Sequence, residues 1–497
     1  MSTCGHAGIL VFGTQDYPLA VRISLALADV GFPVATLTHT KHPVRQTRRI
    51  QRHFPYHSRF RFSSILSAIN RWSPDLIVCT DDLAVRVLQA LHERVAARDD
   101  EAGRRVASLI ERSLGPPTSF PAMRDKSVFL ALAESEGLRC PKTIVIPASH
   151  AFEPLDPEIT YPVVVKADHS DGGRCVRTVN RNADLRTVVW ELQTPDNWWA
   201  RRFLGAILAS EALGVLKLPL RRTISLQQYV LGRPSNRAVL CWKGKVLAGI
   251  SVEAVETTQD CGPASVVKVI DHPEMTLACE RMVERLQLSG FVGFDFILDS
   301  ANRAWLLEMN PRVTQTCHFV LADGTDFAAS LCTQMNRMPA RSQPATVYQD
   351  LIALFPNEVR RSPSSQYLRS CQHDVPWDEP ELVRCMLNQG GRTGIPKRRM
   401  FLERHLPLVA DALVRLGLVG TRTGPVTREK PPLPDDVVPP ARERALNVGT
   451  SAVGSLGITA SAISAVPAGG QTFAVLAAEN ASALSERREI GGKGSKV

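Results

Sequence analysis

The sequence predicts two folded regions of different kinds, an α/β domain with a parallel sheet followed by an α+β domain built on hairpins. Three observations predict it. Over roughly the first 115 residues, apolar runs of strand length alternate with amphipathic runs of helix length. From about residue 116 the apolar runs instead pair across short turns. From residue 421 onward the composition falls to Pro, Gly, Ala and Ser, with Phe473 as the single aromatic.

Within the first region (1–115), GILVF at 8–12 reads as a strand, and Gly13-Thr14-Gln15-Asp16 as the turn after it. A helix follows at 19–30, ended by Gly31, and the next strand is 34–37. Ser73-Pro74 precedes a strand at 75–79, after which Thr80-Asp81-Asp82 caps a helix. The turn after the first strand is not a GxGxxG, so it gives little support to a dinucleotide. The second region (116–340) opens with a helix at 124–137. Strands follow at 142–147, 162–166, 224–230, 238–242, 246–252, 290–299 and 304–309, with Lys243-Gly244 as a two-residue turn. A mostly helical third region (341–420) contains an amphipathic stretch at 401–418. The tail, 421–497, carries too little bulky apolar surface to offset ordering entropy and is expected to be disordered.

Composition narrows the class. The chain has 497 residues, 44% hydrophobic and 22% charged, and no apolar run near the roughly 18 residues of a membrane span. No signal peptide is expected at its start. Eleven scattered cysteines include no CxxC pair, which reads as reduced thiols in a cytoplasm rather than a disulfide framework or a zinc ribbon. The formal net charge of +10 favours acidic small-molecule ligands such as nucleotides. Arg45, Arg48, Arg49, Arg52, Arg59 and Arg61, mixed with His53, Phe54, Tyr56 and His57, read as a solvated face, since no nucleic-acid module accompanies them.

Four segments carry chemistry. In GFDFILDSANRAWLLEMNPR, residues 293–312, two adjacent strands carry Asp295 and Glu308, with Asn310 on the same face as Glu308. Two carboxylates and an amide oxygen are hard ligands suited to magnesium. Arg312 beside them is a fixed cation able to hold a phosphoryl or carboxylate group. In YPVVVKADHSDGGRCVRTV, residues 161–179, a buried strand ends in Lys166, and Gly172-Gly173 let backbone N–H groups close over phosphate. TISLQQYVLG, residues 223–232, is a strand running into a turn that can present backbone to an adenine edge. Asp125-Lys126 starts a helix.

Taken in order, these segments resemble the ATP-grasp superfamily over residues 116–340, and the first domain resembles the pre-ATP-grasp domain that precedes that fold. Glu308-Met309-Asn310-Pro311-Arg312 brings the sequence near the branch holding the carbamoyl-phosphate synthetase large subunit, biotin carboxylase and amino-acid ligases. The resemblance implies that Lys126 and Lys166 contact ATP phosphates, with Gly172 and Gly173 in a lid over them. It implies that Gln228, Tyr229 and Val230 form the adenine hinge, and that Ser235 stands where relatives place a ribose-binding acid. Asp295, Glu308 and Asn310 would hold magnesium or manganese, and Arg312 would stabilise the transferring phosphoryl group. The loop 257–265 falls where relatives place a substrate-facing segment. The chain lacks the bicarbonate base and biotinyl site of biotin carboxylases. It has one copy of the unit, with Gln315 where carbamoyl-phosphate synthetase has a second arginine.

The implied activity is a carboxylate–amine ligase that forms an acyl phosphate and then an amide, with small-molecule substrates and no membrane or nucleic-acid partner. The alternatives are acid–thiol ligation, a small-molecule kinase, or an ATP-binding regulator. Region 341–420 is left to cover the active site or to form a homodimer contact.

Overall fold

A computed structural model describes residues 8–98, 100–148, 160–167, 175–194, 222–259, 262–320, 326–336 and 349–388. Gly172 and Gly173, the 401–418 stretch and the 421–497 tail lie outside these residues. The chain divides into two compact units, 1–437 and 438–497, and every described residue belongs to the first.

The N-terminal sheet has the order β3-β2-β1-β4, with β1 (Ile9–Phe12), β2 (Val34–Thr38), β3 (Arg52–Pro55) and β4 (Leu76–Cys79) all parallel. Every residue of β1 and β4 is buried, as a parallel sheet covered on both faces requires. Ile9 and Val11 pack with the helix Pro18–Asp29, while Leu10 and Phe12 face the helices Arg61–Trp72, Asp82–Ala96 and Glu101–Leu114. Asp81 caps the helix Asp82–Ala96 through the Ala84 N–H, as its position in the sequence predicts.

A small antiparallel sheet follows, with the order β5-β8-β6-β7: β5 (Thr143–Ile146), β6 (Val163–Ala167), β7 (Val176–Val179) and β8 (Ile224–Gln228). Val163, Val165, Ile224 and Leu226 pack against Leu185 and Val189 of the helix Asn182–Gln193.

The large sheet contains β9 (Arg233–Trp242), β10 (Lys245–Thr257), β11 (Ala264–Ile270), β12 (Gly290–Leu298), β13 (Ala304–Asn310), β14 (Leu351–Ala353) and β15 (Gln372–His373). Their order is β13-β12-β9-β10-β11-β14-β15. Lys243 and Gly244, with φ of 48° and 80°, form the tight turn of the β9–β10 hairpin. Phe294, Phe296 and Met309 pack on Phe129 and on Met282 and Val283 of the helix Pro273–Leu286.

Two expectations change. The single helix at 124–137 is two helices, Phe120–Arg124 and Lys126–Ser135. Asp125 between them is extended and turns its carboxylate onto the Ser127 and Val128 N–H groups, so it caps the second. The basic stretch is not uniformly solvated either, because Arg49 pairs with Asp29 at 2.6 Å, with Asp378, and with Glu379 at 3.3 Å. Residues 349–388 join the sheet edge through β14 and β15. They are further fixed by a buried cluster in which Asp374 takes Arg22 and His318 at 3.0 Å each and the Phe355 N–H at 2.5 Å. Among the described residues, no helix is long and apolar enough to cross a membrane.

Gly290 starts β12 at φ +89°, and a Cβ there would meet the Ser113 carbonyl oxygen at 2.4 Å. Neither the backbone angle nor the neighbouring backbone can yield cheaply. Gly290→Ala is therefore expected to lower the unfolding free energy by about 2–4 kcal/mol, read as a shift in the chemical denaturation midpoint at unchanged slope.

Candidate functional site

The site grows out of the register of three strands. β12 and β13 pair with Asp295 opposite Glu308, and β9 on the other flank places Asn236 opposite Asp295. Opposed residues share a face, so these side chains gather on one surface of the sheet, with Asn310 two positions beyond Glu308. Asp295 accepts from the Asn236 amide at 2.6 Å on one oxygen and from the Asn310 amide at 2.9 Å on the other. The Asn310 oxygen accepts from Arg312 Nη2 at 3.1 Å, and Arg312 Nε donates to Asp82 at 3.1 Å. Lys126, the first residue of its helix, donates to Glu308 at 2.5 Å. Lys166, on β6, lies near enough for its charge to act on Glu308.

These charges set the protonation states. Burial pushes the Glu308 carboxyl up, but Lys126 and Lys166 outweigh it and bring the pKa to about 2. Burial and then the Glu308 charge push Asp295 up to about 6, against the hydrogen bond from Asn236. Burial alone would lower the Lys126 ammonium; Glu308, with Asp82 and Asp295 farther off, raises it instead. The result is a firmly ionised carboxylate opposite one whose ionisation depends on what cations surround it.

The donor set fits a divalent cation through Asp295 and Glu308, two hard anionic ligands whose mutual repulsion such an ion would relieve. Asn310 turns its NH₂ to Asp295 and its oxygen to Arg312. Among the described residues, no cluster of three or more His, Cys, Asp or Glu side chains is placed to hold a metal. Among the described residues, Asp295 and Glu308 are the carboxylates opposed across this ladder.

Six of the residues singled out in the sequence therefore converge: Lys126, Lys166, Asp295, Glu308, Asn310 and Arg312. Gln228 ends β8 of the small sheet and Arg233 begins β9 of the large one, so Tyr229 and Val230 lie in the link between the two sheets. The Gln228 N–H donates to the Lys142 carbonyl at 2.8 Å, inside the small sheet's edge pairing. Ser235 is buried, its hydroxyl donating to the Arg233 carbonyl at 3.3 Å. In the 257–265 loop, the Ala264 carbonyl accepts from Gln315 at 3.1 Å and from Asn357 at 3.0 Å. Two residues were missed: Asn236, whose role appears only once the β9–β12 register is known, and Asp82, whose place in a capping sequence gave it an ordinary explanation.

No protein-family model matches the chain. Over 210 residues, 41% of the chain, it is 23% identical to the carbamoyl phosphate synthase large chain of Xylella fastidiosa. That match spans 18% of the relative's length. Among solved structures, the chain is similar to an L-amino acid ligase from Bacillus licheniformis, with 14% identity, TM-score 0.42, and 62% and 68% of the two chains covered. It is also similar to the N5-carboxyaminoimidazole synthase of Aspergillus clavatus in complex with ADP and its ribonucleotide, with 14% identity, TM-score 0.48, and 69% and 80% covered. A third is the biotin carboxylase domain of Hydrogenobacter thermophilus 2-oxoglutarate carboxylase with ADP, MgADP and bicarbonate, with 14% identity, TM-score 0.46, and 67% and 71% covered.

The Lys126–Glu308 pair is expected to stabilise the fold in a pH-dependent way. The Glu308 pKa falls from 4.5 to about 2 on folding, so the pair's contribution is complete above 4.5 and is lost as pH drops towards 2. Lys126→Met should cost about 1–2 kcal/mol near neutrality for this half-buried pair, and the deficit should shrink as denaturation is repeated from about pH 6 down to about pH 3.

Proposed function

We propose that this chain is an ATP-dependent ligase with an ATP-grasp-type site, which activates a carboxylate as an acyl phosphate and joins it to an amine. The observation that carries this reading is the convergence of Lys126, Lys166 and Arg312, from three separate parts of the fold, on carboxylates opposed across the β12–β13 ladder. The match to a carbamoyl phosphate synthase large chain, over 41% of the sequence, supports it.

In the first step a carboxylate oxygen attacks the γ-phosphorus, an O–P bond forms, the β–γ bridge breaks and ADP leaves. In the second the amine nitrogen attacks the acyl carbon, a C–N bond forms, the acyl C–O bond breaks with its electron pair leaving on phosphate, and the surplus proton on nitrogen passes to solvent. The protein's part is positioning and charge balance. Lys126 and Lys166 hold phosphate oxygens. Arg312, fixed by Asp82 and Asn310, meets charge growing on the transferred group. Asp295, Glu308 and Asn310 would hold magnesium, which when bound supplies charge neutralisation on the phosphate oxygens. Gln228, Tyr229 and Val230, at the link between the two sheets, would offer backbone to the base. Ser235 and the 257–265 loop are the remaining candidate contacts for ribose and substrate.

The test is ADP release in a screen of carboxylates crossed with amines. Hydroxylamine would trap the acyl phosphate and separate this chemistry from direct phosphorylation of another group. Glu308→Gln removes a charge from the metal pair and is expected to lower turnover by at least ~2 orders of magnitude. Unchanged ADP release in that variant would sink the assignment.

A further inference from the structure

The segment Thr80-Asp81-Asp82, between β4 and the helix Asp82–Ala96, carries two adjacent carboxylates that face different structures. Asp81 turns back into its own domain: one oxygen accepts the Thr14 and Gln15 N–H groups at 2.6 and 3.2 Å, and the other accepts the Thr14 hydroxyl at 2.6 Å. Asp82 turns out of it and accepts Arg312 Nε at 3.1 Å, across 230 residues of sequence. Next to that contact, the Val313 N–H donates to the Cys79 carbonyl at 3.0 Å, so the backbone following Arg312 is pinned to the end of β4.

Arg312 is thus anchored at each guanidinium nitrogen, Nε on Asp82, Nη2 on the Asn310 oxygen and Nη1 on the Val313 carbonyl at 3.1 Å. Of these partners only Asp82 is charged, and a charge-assisted hydrogen bond is about twice as strong as a neutral one. A planar fork held this way has its orientation set before any ligand arrives, and it loses less freedom on binding. The Asp82 charge also acts on Lys126, but its hydrogen bond goes to Arg312.

We propose that Asp82 is a positioning residue: it orients Arg312 towards the terminal phosphoryl group and makes that step depend on the N-terminal domain. The inference rests on the ATP-dependent reading of the site.

The experiment compares magnesium-supported binding of a non-hydrolysable ATP analogue with that of ADP, because a group acting on the terminal phosphoryl affects only the first. Asp82→Asn is expected to weaken the analogue about ten-fold, the scale of one charge-assisted hydrogen bond, while ADP affinity moves less than about two-fold. Asp82→Glu should restore most of the loss. Arg312→Ala should lose at least as much as Asp82→Asn, and the double variant no more than Arg312→Ala alone, since one residue acts through the other. Additive losses, or equal losses for both nucleotides, would refute the positioning role. Tighter analogue binding in Asp82→Asn would also refute it, because it would mean that Asp82 withholds the arginine. Failure of the wild-type chain to bind either nucleotide would refute the ATP-dependent reading itself, a distinct outcome. Far-ultraviolet circular dichroism and melting of each variant separate these results from misfolding.

Discussion

Two carboxylates set opposite each other in a half-buried ladder repel, and everything around Asp295 and Glu308 follows from that constraint. Like charges across an antiparallel pair destabilise a sheet unless other charges or donors compensate. Compensation here is divided. Glu308 receives Lys126 and the field of Lys166, while Asp295 receives two amide N–H donors and a more distant Arg312. The cations are recruited from a helix start, from the small sheet and from the chain just beyond β13. No one supersecondary unit could supply them, so the site exists only where these units meet.

That division explains what could be read from the sequence. Strands β1, β2 and β4 were legible as apolar runs bounded by turn or capping residues, whereas β3, Arg-His-Phe-Pro inside the basic stretch, was not. The β9–β10 hairpin was legible because Lys243-Gly244 accepts two positive φ angles. Asp295, Glu308, Asn310 and Arg312 stood out because they crowd into 18 residues of one hairpin. The break at Asp125 was harder to see, since the residues on both sides are good helix formers and only the cap's extended backbone separates them. Asn236 and Asp82 could not be found from local pattern at all. One acts through a strand register involving residues 59 apart, the other through a contact 230 residues long. Pattern reads short-range periodicity, and these two roles are long-range.

The C-terminal part of the described chain illustrates the same limit. Residues 349–388 have weak strand signals, with β14 three residues long and β15 two. Their place is fixed by apolar burial of Ile352, Leu354, Leu382 and Met386 in the main core, and by charge. Arg22 and Asp374 are almost completely removed from water, with exposures of 7% and 3%, and His318 closes the cluster. A buried carboxylate with a guanidinium, an imidazole and a backbone N–H around it is costly to disassemble one member at a time, because each loss leaves charge uncompensated. Arg49 repeats the arrangement nearer the surface, with acids from 29, 378 and 379. Together these pairs tie the N-terminal domain to the far edge of the large sheet.

The N-terminal domain is thereby held to the rest at two distant places, by salt bridges at the sheet's far edge and by Asp82 and the Cys79 carbonyl beside Arg312. Between them the domain also shares an apolar core with β9, β10 and β12, so it is packed against the sheet rather than hinged on it. The side chains at the inner tether carry opposite charges in a half-buried setting, where a contact of this kind is stronger than at a free surface and less sensitive to salt. Asp82 and Asp81 are neighbours on one helix start, so the Thr14–Gln15 loop and Arg312 are tied to the same few residues. In the proposed ligase, a domain without either of the two opposed carboxylates would then bear on the charge balance of the transferring group by setting the angle of one arginine.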